Sequence, residues 1–381
     1  MRIIKRIFIC LVLAVAFVVP FSFSAFASEE GGIPEEVWQG FEESVPDDVL
    51  QYFSEGSLEN EESFFGAIES MSTPKAILLV LLELFGVEAG SVLKLLLLLI
   101  GAVVVSAVIS AIANQSESKT LTAVLRFCSL GSLFSASGYV FYSHFERLEE
   151  FFSRISTFVG GMIPVTASIW ALGGNISTAS AGSATLYCFL AVFEGLWAGS
   201  AVPMLALLLM LGFCDVLCTE LKTARVLGTV KRIYGFLLGL SMTVLLSSLA
   251  AQTTLTAVAD SVSARAGRLV SSTVIPIVGG NLGEALRTVA SSVTYLKSIF
   301  GVGGIIIIAL LTLPMAISLL LTRFTFSVAS TLADILGCEQ ESRLLASFSE
   351  AYGCILAVVC GVGMMFVLSL CIFIKTVVAA A

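Results

Sequence analysis

The chain has 381 residues, of which 57% are hydrophobic and 13% charged, and its mean hydropathy is +1.00. Soluble domains carry about 25% charged residues, so this composition excludes an ordinary water-soluble enzyme and, being apolar, a disordered chain. The formal net charge of −8 argues against nucleic acid as a partner.

The first segment, residues 1–27, opens with Arg2, Lys5 and Arg6, runs apolar from Ile7 to Phe21 and closes on Ala25-Phe26-Ala27. That is the pattern of a secretory signal peptide cleaved near Ser28, with an uncleaved anchor helix as the alternative. Either way the basic end stays in the cytoplasm and the segment after it is exported. This exported head is acidic: residues 28–90 hold fifteen of the 28 Asp and Glu against a single base, Lys75. Apolar residues at spacings of three and four (Val37, Trp38, Phe41; Phe64, Phe65, Ile68) predict short amphipathic helices joined by turns. A head of this size is too small for a large core of its own, so it should lie on the membrane body or on a partner.

From Ser91 onward the chain is greasy and slightly basic, and several stretches are long and apolar enough to span a bilayer. Residues 92–112 are the clearest, with Lys94 near enough to the end to snorkel. Residues 123–142, 233–251, 302–321 and 352–373 each suit one span, while 151–172 and 269–282 are shorter and interrupted by Gly or Pro. Residues 184–213 are long for one straight span and contain Pro203. The expected total is seven or eight spans. Lys222, Arg225, Lys231 and Arg232 put the loop at 214–232 in the cytoplasm, and Lys375 favours a cytoplasmic C-terminus.

The expected domains are a signal at 1–27, the head at 28–90, two helices at 91–142 and two membrane repeats at 143–251 and 252–381. The repeat rests on four landmarks that keep their order. Pro164 answers to Pro276, Pro203 to Pro314, Asp215-Val216-Leu217 to Asp334-Ile335-Leu336, and Tyr234-Gly235 to Tyr352-Gly353. Two helices per copy would make the repeat parallel, and an odd number would make it inverted. Backbone freed by Pro or Gly at membrane depth must find partners in protein or water, so paired broken helices point to a pathway or binding site. The candidate pore or hinge residues are therefore Pro164, Gly173, Gly174, Asn175, Pro203, Pro276, Gly279, Gly280, Asn281 and Pro314, with surface loops and packing kinks as the plainer reading. Glu194 joins them as an acid inside an apolar run, where an ionisable group faces a cavity or a polar neighbour. Gly235 with Gly239, and Gly195 with Gly199, suit close helix contact, within one chain first and between copies of a homo-oligomer as the alternative.

No phosphate-binding loop, nucleophile elbow, zinc helix or dinucleotide fingerprint is present, so no cofactor and no enzymatic activity are expected. The cysteines sit in apolar segments as small hydrophobes. His144 is far in sequence from the Cys214 and Cys218 pair, and no metal site can be assembled. Nucleotide-driven transport would need a partner.

The signal, the acidic head, Ile163-Pro164-Val165-Thr166-Ala167-Ser168, Ile275-Pro276-Ile277-Val278-Gly279-Gly280 and Lys231-Arg232-Ile233-Tyr234-Gly235 together resemble the stage III sporulation protein AE family. The resemblance covers nearly the whole chain, through apolar motifs. It implies an all-α, polytopic component of the secretion-like channel complex between mother cell and forespore. The expected place is the mother-cell membrane around the forespore, with the head extracytoplasmic. The expected partners are membrane lipid, ring-forming subunits and a separate ATPase, and no catalytic residue is carried over. A self-contained secondary transporter for a small solute is the rival reading of the repeat.

Overall fold

The computed structural model describes residues 35–46, 49, 61–71, 74–115, 119–172, 180, 183–185, 188–189, 192–217, 223–274 and 279–375. The signal expected at 1–27 lies outside the described residues, as do Gly173, Gly174, Asn175 and Pro276. Among the described residues there is no strand. The helices are α1 (Glu35–Glu42), α2 (Glu61–Met71), α3 (Pro74–Gln115), α4 (Lys119–Leu172), α5 (Gly199–Leu217), α6 (Thr223–Val274), α7 (Gly279–Ile335) and α8 (Glu339–Lys375). A five-residue π-turn, Glu194–Ala198, leads into α5.

Six of these helices are long and apolar enough to cross a membrane, over Leu82–Ile112, Thr120–Leu172, Leu196–Leu217, Arg225–Ser248, Ile299–Ile335 and Glu339–Cys371. Those six are the spans among the described residues, against seven or eight expected for the whole chain. Two expected spans, 123–142 and 151–172, are halves of the single helix α4. At 1.5 Å per residue its 54 residues reach about 81 Å, more than twice a hydrocarbon core of about 30 Å. The stretch at 269–282 straddles the end of α6 and the start of α7. The expected domain limits at 90, 142 and 251 each fall inside a continuous helix.

Contacts across the bundle give the helix directions. Arg147 meets Glu88 while Ser129 meets Ser106, so α4 runs antiparallel to α3. Ser330 meets Ser342 and the Arg323 carbonyl meets Ser349, so α8 returns antiparallel along α7. Arg343 reaches Asp215, and Gly212 lies against Ser347, so α5 opposes α8. Lys231 pairs with Glu350 and Leu238 touches Gly361, so α6 runs parallel to α8. Successive helices therefore alternate up and down, and Pro74 and Lys375 come out at the same end. With each helix crossing once, an exported head and a cytoplasmic C-terminus exclude one another.

The landmarks of the repeat fall at matching places. Asp215 and Asp334 close α5 and α7, and Tyr234 and Tyr352 lie on the returning helices α6 and α8. The hairpins α5–α6 and α7–α8 point the same way, so a duplication along these landmarks would be parallel. Pro203 and Pro314 lie inside α5 and α7, and Pro164 inside α4. The clearest interruption near a proline is the π-turn, five residues before Pro203.

The core is the α7–α8 hairpin, closed by a left-handed glycine. Gly337 has φ 76°, and the bonds Cys338 N–H to Ala333 O (2.9 Å) and Gly337 N–H to Asp334 O (3.0 Å) form the Schellman stop of α7. Glu339 and Glu341 then stand in the first turn of α8, where the helix dipole favours acids. Along the hairpin a Cβ at Gly363 would meet Thr312 at 2.7 Å, so the missing side chain sets how close the two backbones come. Around this pair, Phe134 and Phe141 of α4 mesh with Phe326 of α7 and Phe348 of α8, Phe141 and Phe348 at 5.1 Å and 87°. The head helix α1 lies on the body: Phe41 packs edge-on against Phe300 at 4.9 Å, and Ser44 sits against Gly161 of α4. Gly235 and Gly239, expected to pack within the chain, are instead exposed with nothing beside them, because α6 turns that face outward.

Candidate functional site: a charged cleft beside Pro314

Helix α4 carries a charged run in its middle, with Arg147, Glu150 and Arg154 at spacings of three and four and so on one face. That face meets the end of α3 that bears Glu88 and the apolar middle of α7. The result is a cleft of about 200 Å³ lined by Glu88, Arg147, Glu150, Phe151, Arg154, Leu311, Pro314 and Met315. Two ion pairs line it. Arg147 Nη1 donates to Glu88 Oε1 at 2.7 Å, and Arg154 pairs with Glu150 one turn away. The Glu88 side chain is largely buried while its partner Arg147 is about half exposed, so one member of the pair is sheltered and the other faces the opening.

Behind the pair the network runs into the core. Arg147 Nη1 also donates to Ser318 Oγ at 3.0 Å, and Ser318 stands 3.2 Å from Glu88 Oε2. His144, one turn before Arg147, places Nε2 3.3 Å from Thr322 Oγ1 and 3.5 Å from Ser318 Oγ. Its ring meets Tyr352 edge-on at 5.2 Å. Helices α3, α4 and α7 thus bring hydrogen-bonding groups into one polar layer, partners that lipid would not supply, and α8 adds the Tyr352 ring beside it.

A second buried polar group lies 18 residues after Glu88 on α3 and 18 residues before Arg147 on the antiparallel α4. There Ser106, Ser129 and Glu341 share hydrogen bonds, with Ser106 at 2.6 Å and Ser129 at 2.9 Å from Glu341 Oε1. Eighteen helical residues correspond to about 27 Å, close to the thickness of a hydrocarbon core. Between these layers α3 exposes Leu93, Leu97, Leu98, Val104 and Val105. A lipid-facing belt is thereby bracketed by two layers of polar chemistry.

Of the residues singled out in the sequence, Pro314 lines the cleft. Pro164 and Pro203 are exposed on α4 and α5, away from it, and Gly279, Gly280 and Asn281 form the first turn of α7. Glu194 opens the π-turn, a distortion common at functional positions, and the neighbouring Trp197 ring is buried against Tyr234 at 5.2 Å. Sequence reasoning missed Glu88, His144, Arg147, Ser318 and Thr322. The signal was available for α4, whose charges keep helical spacing, but ending one expected span at 142 and opening the next at 151 cut the periodicity. Among the described residues there is no group of three or more His, Cys, Asp or Glu that would hold a metal.

With this geometry in view, the family model for stage III sporulation protein AE matches residues 63–377, which takes in the cleft and all six membrane helices. The chain belongs to the stage III sporulation protein AE family. Stage III sporulation protein AE of Bacillus subtilis (strain 168) is 26% identical over 227 residues, covering 59% of this chain and 56% of that one. The chain thus matches a little over half of that relative's length. No solved structure matches. Family membership implies a role in sporulation, and six apolar helices make this a multi-pass membrane protein.

Proposed function

We propose that this member of the stage III sporulation protein AE family is a non-enzymatic membrane subunit of the channel complex joining mother cell and forespore. It sits in the mother-cell membrane around the forespore, with its acidic head in the space between the membranes. There the head and the α7–α8 body seat ring-forming subunits, while a separate ATPase supplies the energy. The observation that carries this reading is the charged cleft, open on one side and set against the apolar middle of α7 at Pro314. Ionisable groups kept among membrane helices mark substrate or ion paths, since their cost demands a return in function. Pro314, and the other candidate hinges Pro164, Pro203 and Glu194, are then places where the helices yield as the passage opens.

Deletion of the gene in an endospore-forming host is expected to arrest spore development, and the tagged chain to copurify with a ring assembly. Normal spore yield from the deletion strain would overturn the proposal. The two parallel hairpins favour one other reading, a secondary transporter working at the repeat interface. Solute uptake by the purified chain alone in liposomes would replace the channel reading with that one.

A further inference from the structure

We propose that His144 is a proton-binding site, loaded from the cleft through Glu88 and Ser318. It is the single histidine of the chain and is buried among α4, α7 and α8. Its Nδ1 lies 2.8 Å from the Val140 carbonyl oxygen. A carbonyl only accepts, so Nδ1 carries the ring proton and Nε2 is left as an acceptor. Nε2 faces two hydroxyls, Thr322 at 3.3 Å and Ser318 at 3.5 Å. Ser318 is also 3.2 Å from Glu88 Oε2 and accepts from Arg147 at 3.0 Å. One hydroxyl therefore touches both the carboxylate that borders the cleft and the basic nitrogen behind it.

The transfer balances with water in the cleft as the proton source. A hydronium gives its proton to Glu88 Oε2 and leaves as water. Glu88 passes that proton to Ser318 Oγ as the hydroxyl proton of Ser318 moves to His144 Nε2. Glu88 returns to a carboxylate, Ser318 is again a neutral hydroxyl, and His144 holds one more proton as imidazolium. Its Nδ1–H stays on the Val140 carbonyl, and Thr322 turns from donating to accepting. The charged groups that act on the ring are Glu88 on α3 and Arg147 on α4. Helix α7 brings the hydroxyls of Ser318 and Thr322, and α8 brings the Tyr352 ring. None of this needs a partner subunit, so it stands or falls apart from the channel reading.

The test uses the full chain, labelled with ¹⁵N at histidine, carrying a histidine-free affinity tag and held in lipid nanodiscs. The single imidazole then reports its own tautomer and charge by NMR. At high pH the ring is expected as the neutral Nδ1–H tautomer, converting to imidazolium as the pH falls. Ser318→Ala is expected to slow proton exchange at Nε2 about a hundredfold. Glu88→Gln is expected to move the conversion to lower pH, because the anion that favours the imidazolium is gone. Thermal unfolding of both variants confirms that they fold. An Nε2–H tautomer at high pH, or a ring that stays neutral until the protein unfolds, would overturn the site. Exchange unaltered in folded Ser318→Ala, or a conversion unmoved by Glu88→Gln, would overturn the route.

Discussion

Helices α3 and α7 are about equally apolar, yet 22% of the most hydrophobic stretch of α3 is buried and 83% of that of α7. The difference lies in what each surface offers a neighbour. Helix α7 meets a partner, α8, whose Gly353 and Gly363 leave room for its Arg323 and Thr312 to approach. A Cβ added at the α3 glycines Gly86, Gly90 and Gly101 would meet nothing within 4 Å among the described residues. Lipid tails are as apolar as leucine, so hydrophobicity does not choose between lipid and protein; close packing does.

Four substitutions probe that contrast. The largest effect is expected from Gly363→Leu, which drives a side chain into Thr312 and should cost about 3 kcal/mol. Gly101→Leu on α3 should stay within about 0.5 kcal/mol. Unfolding in mixed micelles measures both, and equal costs would dissolve the distinction. Phe348→Ala removes a ring meshed with Phe134, Phe141 and Phe326, and should cost about 2 to 3 kcal/mol by the cavity it leaves. Phe236→Ala, on the open face of α6, should be close to neutral in the same assay.

Arg147→Ala comes third. It leaves the sheltered Glu88 carboxylate with the hydroxyls of Ser318 and Ser91 as partners, at a cost of about 1 to 2 kcal/mol, limited by the solvent that already reaches Arg147. Arg147→Lys should restore part of this, and high salt should narrow the gap between variants. The smallest and least intuitive effect concerns Tyr352, whose buried hydroxyl has no hydrogen-bond partner among the described residues. Tyr352→Phe is expected to leave stability unchanged or raise it by up to about 1 kcal/mol, since it removes an unsatisfied polar group. A marked loss of stability would show that the hydroxyl has a partner under working conditions.

The spans were legible because a membrane helix must be apolar over about 20 residues, a local property that survives any tertiary arrangement. Their number was not, because a helix as long as α4 carries both a lipid-grade stretch and a charged run without a break. Dividing the helix into two spans at the charged run hid the face formed by Arg147, Glu150 and Arg154. Glu88 was absorbed into the acidic head by composition, while α3 carries it without interruption into the bundle. Pro314 was singled out for a broken helix. Its place is the wall of a cleft, where α7 stays helical. Ser318 and Thr322 gave no signal, since hydroxyls in a membrane helix commonly return their proton to a carbonyl one turn back.

Composition and periodicity alone determined that this polypeptide belongs in a bilayer as a set of helices, because the cost of bare backbone in lipid permits little else. The tertiary structure decided which helices face fat and which face each other, that the two hairpins run in the same sense, and that a carboxylate of α3 joins a guanidinium and an imidazole of α4 in one layer. Those outcomes depend on the shape of side chains meeting across helices, and shape is a relation between segments that no single stretch of sequence carries.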